Sequence, residues 1–149
     1  MPMHRRRLLA AVATLAATTP AFATGPGIEI WRQRSCGCCT AWARQLERAG
    51  YHAIVHDLDD VTAVRRAAGV PDELAGCHTA RIDGYVVEGH VPVAVIERLL
   101  RERPAVTGIA VPGMPIGSPG MEMPGLAAEP YDVVAFGGGG RPTIFARIG

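Results

Sequence analysis

The stretch that decides the fold runs from residue 28 to residue 50 and reads IEIWRQRSCGCCTAWARQLERAG. Ile28 to Trp31 alternate in polarity and are rich in strand-forming residues, which predicts a first β-strand. From Thr40 to Ala49 the apolar residues recur at helical spacing, and Gly50 follows as a C-cap. Ser35 is the expected N-cap of this helix, so the cysteines that follow it are predicted to occupy the first helical turn.

The segments that follow complete one α/β domain. The further predicted elements are strands at 52–57, 79–82 and 85–88 and helices at 61–68 and 92–103. Asp83-Gly84, between the last two strands, is a strong hairpin signal. Residues 111–124 are punctuated by Gly, Pro and Met and predict a loop. Residues 131–136 and 143–147 predict a C-terminal β-hairpin, at a sheet edge or as a separate ribbon. A βαβ unit followed by a hairpin and a helix predicts a thioredoxin-like fold with a mixed central sheet and flanking helices.

The N-terminus has the pattern of an export signal. Arg5 to Arg7 form a charged segment, Leu8 to Ala17 are apolar, and Ala21-Phe22-Ala23 fits a cleavage site. We therefore predict a signal peptide at 1–23 and a metal-binding domain at 24–149, exported to the periplasm by the general secretory route, with the twin-arginine route as a second option. The apolar run is too short for a stable membrane anchor.

The charge balance excludes one class of function. All 14 acidic residues lie beyond the leader, whereas three of the 15 arginines lie within it, so the exported part is slightly acidic. It has no basic stripe and no interleaved aromatic residues, which argues against nucleic-acid binding.

Three cysteines lie close together at the predicted helix start. Cys36 and Cys39 form a C-x-x-C pair, and a helix N-terminus favours the thiolate that binds metals or attacks disulfides. In an exported protein the ordinary expectation for four cysteines is two structural disulfides. Cys38 favours metal instead, because a third thiol beside a redox pair invites wrong pairings, whereas several thiolates can bridge soft metal ions.

Cys77-His78 precedes the third predicted strand. In a thioredoxin-like fold that loop faces the helix-terminal cysteines, so it is expected to add a sulfur and an imidazole to the same pocket. A site with three or four sulfurs and one nitrogen suits Cu(I) or Zn(II).

The methionines favour copper over zinc. Beyond the leader the chain has only Met114, Met121 and Met123, and all three lie in the Gly/Pro loop. Thioether sulfur is a soft ligand that suits Cu(I). The alternative is that these side chains fill gaps against the sheet.

Other candidates carry less weight. His90 either caps the site as a further ligand or is a turn histidine bonded to the backbone, and the second reading is favoured. His52 and His56 are interpreted as surface or core residues. Trp31 and Trp42 are expected to pack near the cysteines and to shield the thiolates from water.

Several motifs in order resemble a known family. They are Cys36-Gly37-Cys38-Cys39, Cys77-His78-Thr79-Ala80, DGYVVEGHVP at 83–92, GIAVPGMP at 108–115 and GSPGME at 117–122. Together they resemble the CopG-like periplasmic copper-resistance family, long labelled a domain of unknown function, over essentially the whole exported part. The resemblance implies a thioredoxin-like fold and, as in at least some members, a thiolate-bound copper cluster on Cys36, Cys38, Cys39 and Cys77. Storage, transfer and redox interconversion of copper are all proposed for the family.

Three hypotheses follow. The first is an exported copper-binding protein that contributes to copper resistance or handling. It binds Cu(I), with a multinuclear thiolate cluster as one option, and exchanges copper with other periplasmic copper-handling proteins. Its only enzymatic activity would be copper redox chemistry. The second is a periplasmic thiol–disulfide oxidoreductase that uses Cys36 and Cys39. The third is a stably disulfide-bonded module without chemistry at its cysteines. Zinc is the less favoured metal.

Overall fold

The structure is a computed structural model that describes residues 25–149, so the predicted signal peptide at 1–23 lies outside the described residues. Seven β-strands and three α-helices follow one another in this part of the chain. They are β1 (Gly27–Gln33), α1 (Gly37–Arg48), β2 (His52–Leu58), α2 (Thr62–Ala67), β3 (His78–Ile82), β4 (Tyr85–Glu88), α3 (Val93–Glu102), β5 (Gly108–Ala110), β6 (Tyr131–Phe136) and β7 (Thr143–Ile148). Between α2 and β3, Asp72–Leu74 form a single 3-10 turn.

The strands form one mixed sheet in the order β2-β1-β3-β4-β5-β6-β7. The β1–β2 and β4–β5 pairs are parallel, and the other four neighbouring pairs are antiparallel. The predicted α/β class with a mixed central sheet is therefore confirmed. No helix among residues 25–149 has the length and apolar character needed to cross a bilayer.

The short strand β5 is a feature that the sequence pattern does not predict. It pairs in parallel with β4 and antiparallel with β6, and it thereby joins the C-terminal hairpin to the main sheet. A Cβ atom at Gly108 would lie 2.1 Å from the carbonyl oxygen of Val86, so only glycine allows this approach. Three residues are too few to show a period of two, which explains why β5 escapes prediction.

The main core lies between the sheet and helices α1 and α3. Ile30 of β1, Trp42 of α1 and Ile96 of α3 are fully buried in one cluster that includes Val87 of β4. Burial of each such side chain contributes about 1.5–3 kcal/mol to stability. The next residue along β4, Val86, belongs to a second cluster on the opposite face, because successive strand residues point to opposite sides.

All three predicted helix starts are one residue early, and for α2 the N-cap is Val61, which was predicted as its first residue. Cys36, not Ser35, is the N-cap of α1, and it makes no side-chain capping bond. The reason is a turn in which the Cys36 N–H donates to the carbonyl oxygen of Gln33 at 2.9 Å, so the chain enters the helix later than Ser35. Pro92 is likewise the N-cap of α3, whose first helical residue is Val93. The predicted placement of the cysteines in the first turn of α1 is confirmed.

Candidate metal centre

The four cysteine sulfurs form one compact group. The Sγ atoms of Cys36, Cys38, Cys39 and Cys77 all lie within 4.8 Å of one another. The Cys77 sulfur lies 2.9 Å from Cys36, 3.3 Å from Cys39 and 3.5 Å from Cys38, so it contacts the three sulfurs of α1 from another part of the chain. The Cys36 sulfur is as close to the other three, since it is bonded to Cys39 and lies 3.3 Å from Cys38. Cys39 is buried and the other three are half-buried, so the group lies near the surface and is closed to solvent on the side of Cys39.

The register of the sheet explains this meeting of distant residues. Strands β1 and β3 are antiparallel neighbours, and Arg32 near the end of β1 pairs with His78 at the start of β3. The turn that follows β1 and the segment that precedes β3 therefore lie at the same end of the sheet. The first turn of α1 supplies three sulfurs there, and Cys77 supplies the fourth.

Cys36 and Cys39 are joined by a disulfide in the structure, whereas Cys38 and Cys77 are free thiols. The ordinary expectation of two disulfides is therefore not met in the described residues. The C-x-x-C pair must be reduced before all four cysteines can offer thiolates to a metal.

The size of the group fits a metal ion. Four sulfurs around a tetrahedral ion with metal–sulfur bonds of about 2.3 Å, the value for zinc, lie about 3.8 Å apart. The separations between the Cys77 sulfur and its three neighbours, 2.9 to 3.5 Å, are shorter than this by up to about 0.9 Å. After reduction of the disulfide the sulfurs must move apart to admit an ion, and Cys36 and Cys39 must move most.

Arg32 secures the turn that carries the cysteines. Its guanidinium donates to the carbonyl oxygen of Cys36 at 3.1 Å and to the hydroxyl of Thr40. It also forms an ion pair with Asp57 of β2, with Nε and Oδ1 2.8 Å apart. The start of α1 is thereby tied to two strands of the sheet.

A buried network, which we call the Glu88 clamp, holds the segment before Cys77. The Glu88 carboxylate is fully buried and accepts hydrogen bonds from Arg65 Nε at 2.7 Å, from the Gly76 N–H at 2.8 Å and from the Thr79 hydroxyl at 2.6 Å. Arg65 also donates to the carbonyl oxygen of Gly76 at 2.8 Å. Every member of the network has a partner, so the clamp fixes the backbone on both sides of Cys77.

The Glu88 clamp was not predicted from the sequence. The available signal is a glutamate at the end of the otherwise apolar strand Tyr85–Glu88, since a carboxylate at a buried position needs a partner. The identity of that partner depends on tertiary contacts, because Arg65 lies 23 residues earlier in the chain.

The environment of Cys77 keeps it protonated. Burial, and next the hydrogen bond with the neighbouring Cys38 thiol, raise the pKa of Cys77 to about 12. At neutral pH this group is therefore a thiol, although the helix-terminal position of the other cysteines led us to expect thiolates at the site. A metal that binds Cys77 must displace a proton.

Two buried histidines lie beside the cysteines. The His78 ring lies 4.2 Å from the Trp42 ring and 5.0 Å from the His90 ring, measured between centroids. His90 Nδ1 donates to the carbonyl oxygen of Pro119 at 2.8 Å, so His90 does bond to the backbone. Neither His78 nitrogen nor His90 Nε2 has a hydrogen-bond partner within the described part of the chain.

Burial has the same effect on both imidazoles. It lowers the pKa of His78 well below its usual range, with a smaller effect from His90, and it also lowers the pKa of His90. Both rings are therefore neutral at pH 7, the form in which imidazole binds metals. Among the described residues, the group of ligand atoms within 4.8 Å of one another consists of the four sulfurs and does not include either imidazole.

The methionine loop lies against the cysteine turn. A Cβ atom at Gly120 would lie 2.6 Å from the carbonyl oxygen of Cys38 and 2.9 Å from the backbone nitrogen of Trp42, so the loop backbone touches α1 directly. Gln45 of α1 donates to Glu122 at 2.8 Å and fixes the same contact. Met121, between these two contacts, is half-buried.

The other two methionines differ from Met121 in exposure. Met114 is 53% exposed and Met123 is 50% exposed, so neither fills a gap in the core. Met114 and Cys77 line the same open cleft.

The remaining candidates separate into core and surface. Trp42 is fully buried, and its indole N–H donates to the carbonyl oxygen of Val91 at 2.8 Å. Trp31 stacks on His56 at 5.1 Å. Because strand residues alternate, Trp31 lies on the face opposite Ile30 and α1, so the expectation that it shields the thiolates is wrong. His52 and His56 are exposed.

The fold and the site define an α/β protein with a group of four cysteines that could hold a metal ion. The family described as "Protein of unknown function, DUF411" matches residues 74–121. Two solved structures, named forms 1 and 2 of copper resistance protein CopG, match with TM-scores of 0.77 and 0.79. They are 44% and 43% identical to this chain, over 83% and 84% of it and 98% and 99% of their own lengths. No curated protein matches.

The chain therefore belongs to the CopG-like copper-resistance family. The resemblance found in the sequence motifs is confirmed.

Proposed function

We propose that this protein binds copper as Cu(I) through Cys36, Cys38, Cys39 and Cys77, and that it contributes to copper resistance by storing or transferring the metal. The observation that carries the proposal is the group of four sulfurs within 4.8 Å of one another. The solved relatives are named for copper resistance, which supports copper as the metal.

The donor set supports Cu(I) in particular. Thiolate and thioether are soft ligands that suit Cu(I), whereas four sulfurs alone also suit zinc. The placement of Met121 against the cysteine turn and of Met114 in the Cys77 cleft favours copper. Because the Cys77 sulfur lies within 3.5 Å of all three other sulfurs, it is suited to bridge several ions, so we propose a multinuclear cluster.

The histidines and one methionine extend this site. His78 and His90 are further candidate ligands, because each has an unpartnered buried nitrogen and a neutral ring at pH 7. Met121, which is half-buried against the cysteine turn, is a weaker candidate, whereas the half-exposed Met114 and Met123 are not proposed as ligands of the bound copper. Loss of His78, His90 or Met121 is expected to change the copper spectrum without abolishing binding, whereas loss of the cysteines abolishes it.

The fold and location complete the proposal. The β1-α1-β2 unit, the β3–β4 hairpin and α3 support a thioredoxin-like arrangement for residues 24–149. Residues 1–23 are proposed to be a signal peptide, so the protein acts in the periplasm and exchanges copper with other copper-handling proteins there. N-terminal sequencing of the exported protein should find Thr24 as its first residue.

Copper loading tests the central claim. The reduced protein is titrated with Cu(I) without oxygen and weighed by native mass spectrometry, beside a variant with all four cysteines replaced by serine. We expect the native protein to bind two or more ions and the variant to bind none at the same concentrations. Uptake of at most one ion, equal in the two proteins, would show that the cysteines form no cluster. Competition with Zn(II) identifies the preferred metal.

The Cys36–Cys39 disulfide favours a second candidate function, thiol–disulfide exchange. The free Cys77 sulfur lies near both bonded sulfurs, at 2.9 and 3.3 Å, and offers a third thiol to the exchange. If this function holds, the protein reduces insulin in the presence of a thiol reductant, and Cys39→Ser abolishes that activity. Equal rates with and without Cys39 would exclude it.

A further inference from the structure

We propose that the cleft between Met114 and Cys77 is the loading site of the cysteine cluster, where the thioether of Met114 receives Cu(I) from a donor and passes it to the Cys77 thiol. This inference rests on the proposed copper-binding function and adds the place at which copper reaches the site. We call this feature the loading cleft.

The loading cleft combines two soft ligands in one open space. It has a volume of about 240 Å³, and its walls include Gln33, Arg65, Gly76, Cys77 and Met114. A larger cleft of about 450 Å³ lies beside the start of α1, but its lining residues, Gln33, Arg34, Ser35, Leu58 and Asp59, include no sulfur. The smaller cleft is therefore the one whose chemistry suits a soft cation.

Backbone hydrogen bonds hold Met114 beside Cys77. The N–H of Gly113 donates to the carbonyl oxygen of Ala75 at 3.0 Å, and the N–H of Val111 donates to that of Glu88 at 2.9 Å. The first bond joins the residue before Met114 to the segment that precedes Cys77. Although Met114 is half-exposed, its position along the cleft is fixed at the backbone.

The charges of the cleft do not oppose a cation. Arg65 forms part of the wall, but its guanidinium is paired with the buried Glu88 carboxylate at 2.7 Å. The pair carries no net charge. Methionine sulfur binds without losing a proton, so it can accept Cu(I) before any thiol is deprotonated.

The transfer is a sequence of ligand exchanges. Met114 Sδ bonds Cu(I) as a ligand of the donor leaves. Cys77 Sγ then bonds the ion, its proton passes to water, and the bond to Met114 breaks. No electron moves, so copper remains Cu(I) throughout.

Met123 supplies a matched control for the test. It lies in the same loop and has nearly the same exposure, 50% against 53%, but it does not line the loading cleft. Met114→Leu and Met123→Leu each remove one thioether and keep a similar volume. Both variants retain the four cysteines.

The experiment follows Cu(I) transfer from a Cu(I)–bicinchoninate complex to the reduced protein by stopped-flow loss of the chelator colour. We expect Met114→Leu to be about tenfold slower than the native protein, with the same final number of bound ions, and Met123→Leu to match the native rate. Alkylation of Cys77 by iodoacetamide, measured without copper, should be equally fast in all three proteins.

Equal transfer rates for the two variants overturn the loading cleft, as does a lower final number of ions in Met114→Leu, which would make Met114 a permanent ligand. If the native protein itself takes up no copper, the proposed function fails. The final number of bound copper ions therefore tests the proposed function, and the rate of copper transfer tests the loading cleft.

Discussion

Cys77 is the residue on which the proposed site depends most. Its sulfur contacts the other three, whereas the Cys38 sulfur contacts only Cys36 and Cys77, at 3.3 and 3.5 Å. Cys77 also comes from a different part of the chain, so it closes the group from the side opposite α1. These two facts distinguish it from a fourth cysteine that merely adds one more ligand.

We predict that Cys77→Ser reduces copper binding more than Cys38→Ser does. Loss of the Cys77 sulfur removes contacts to three neighbours, whereas loss of the Cys38 sulfur removes contacts to two, so we expect an apparent Cu(I) affinity at least about tenfold below that of Cys38→Ser. Titration against a colorimetric Cu(I) chelator measures both variants. Equal losses in the two variants would contradict a central role for Cys77.

Glu88 is a second residue that supports the site, because its buried carboxylate bonds residues on either side of Cys77. Glu88→Gln leaves the Arg65 guanidinium without its counter-charge, and we predict a loss of about 3 kcal/mol in the free energy of unfolding. Glu102→Gln is the control, because the Arg98–Glu102 ion pair is exposed and should cost less than about 1 kcal/mol. Urea unfolding measures both.

A second measurement tests whether the Glu88 clamp positions Cys77. In Glu88→Gln a neutral amide oxygen replaces the charged acceptor of the Gly76 N–H and of Arg65, so the segment before Cys77 is held less strongly and Cys77 should react faster with iodoacetamide than in the native protein. A loss of stability with unchanged Cys77 reactivity would mean that the Glu88 clamp stabilises the core but does not position Cys77.

At the scale of elements, the contact between α1 and the methionine loop organises the site. Pro119 bonds His90, Gly120 touches the backbone of α1, and Glu122 bonds Gln45. The loop therefore covers the cysteine turn, although its sequence has no regular secondary structure. Two of its glycines, Gly117 and Gly120, lie at points of close approach where a Cβ atom would overlap a neighbouring segment.

We predict that Gly120→Ala is more damaging than Gly113→Ala. Both glycines have positive φ, +87° and +68°, so each alanine costs about 1–2 kcal/mol from the backbone alone. The Gly120 methyl group would also overlap the backbone of α1, which adds about 1–3 kcal/mol, whereas nothing lies within 4 Å of a Cβ at Gly113. Urea unfolding and limited proteolysis of the loop measure the difference. Identical behaviour of the two variants would mean that the loop does not rest on α1.

At the scale of the whole molecule, two buried neutral histidines make stability depend on pH. The pKa of His78 is well below its unfolded value near 6.5 and that of His90 is also lowered, so below about pH 6.5 the unfolded chain binds protons that the folded protein does not. Burial of these two neutral imidazole rings therefore contributes its full share to the free energy of unfolding above that pH, and this contribution is lost as the pH falls.

We predict that the metal-free protein loses about 2 kcal/mol between pH 6.5 and pH 5 on account of His78 alone. His78→Phe keeps a ring in the core and should reduce the pH dependence of the unfolding free energy by that amount. His52→Phe, which replaces an exposed ring, controls for the loss of a histidine as such. An unchanged pH dependence in His78→Phe would contradict the prediction.

The elements differ in how well the sequence predicted them. Strand and helix patterns with several turns or alternations, such as Gly37–Arg48, were predicted correctly because local periodicity reflects which face is buried. The three-residue strand Gly108–Ala110 was not predicted, since it depends on strands elsewhere in the chain. The exact N-cap at Cys36 was not predicted because a local turn to Gln33 delays the start of the helix. The half-buried position of Trp31, stacked on His56, was missed because it also depends on a partner elsewhere in the chain.

The sequence by itself determined the α/β class, the cluster of three cysteines at one helix start, and the family. Spacing along the chain is enough for these, because neighbouring residues stay neighbours in the fold. Tertiary contacts, by contrast, bring Cys77 against the three sulfurs of α1, hold it with the Glu88 clamp and place Met114 along its cleft. Those relations join residues that are distant in the chain, and the pairing of β1 with β3 and the packing of the loop bring them together.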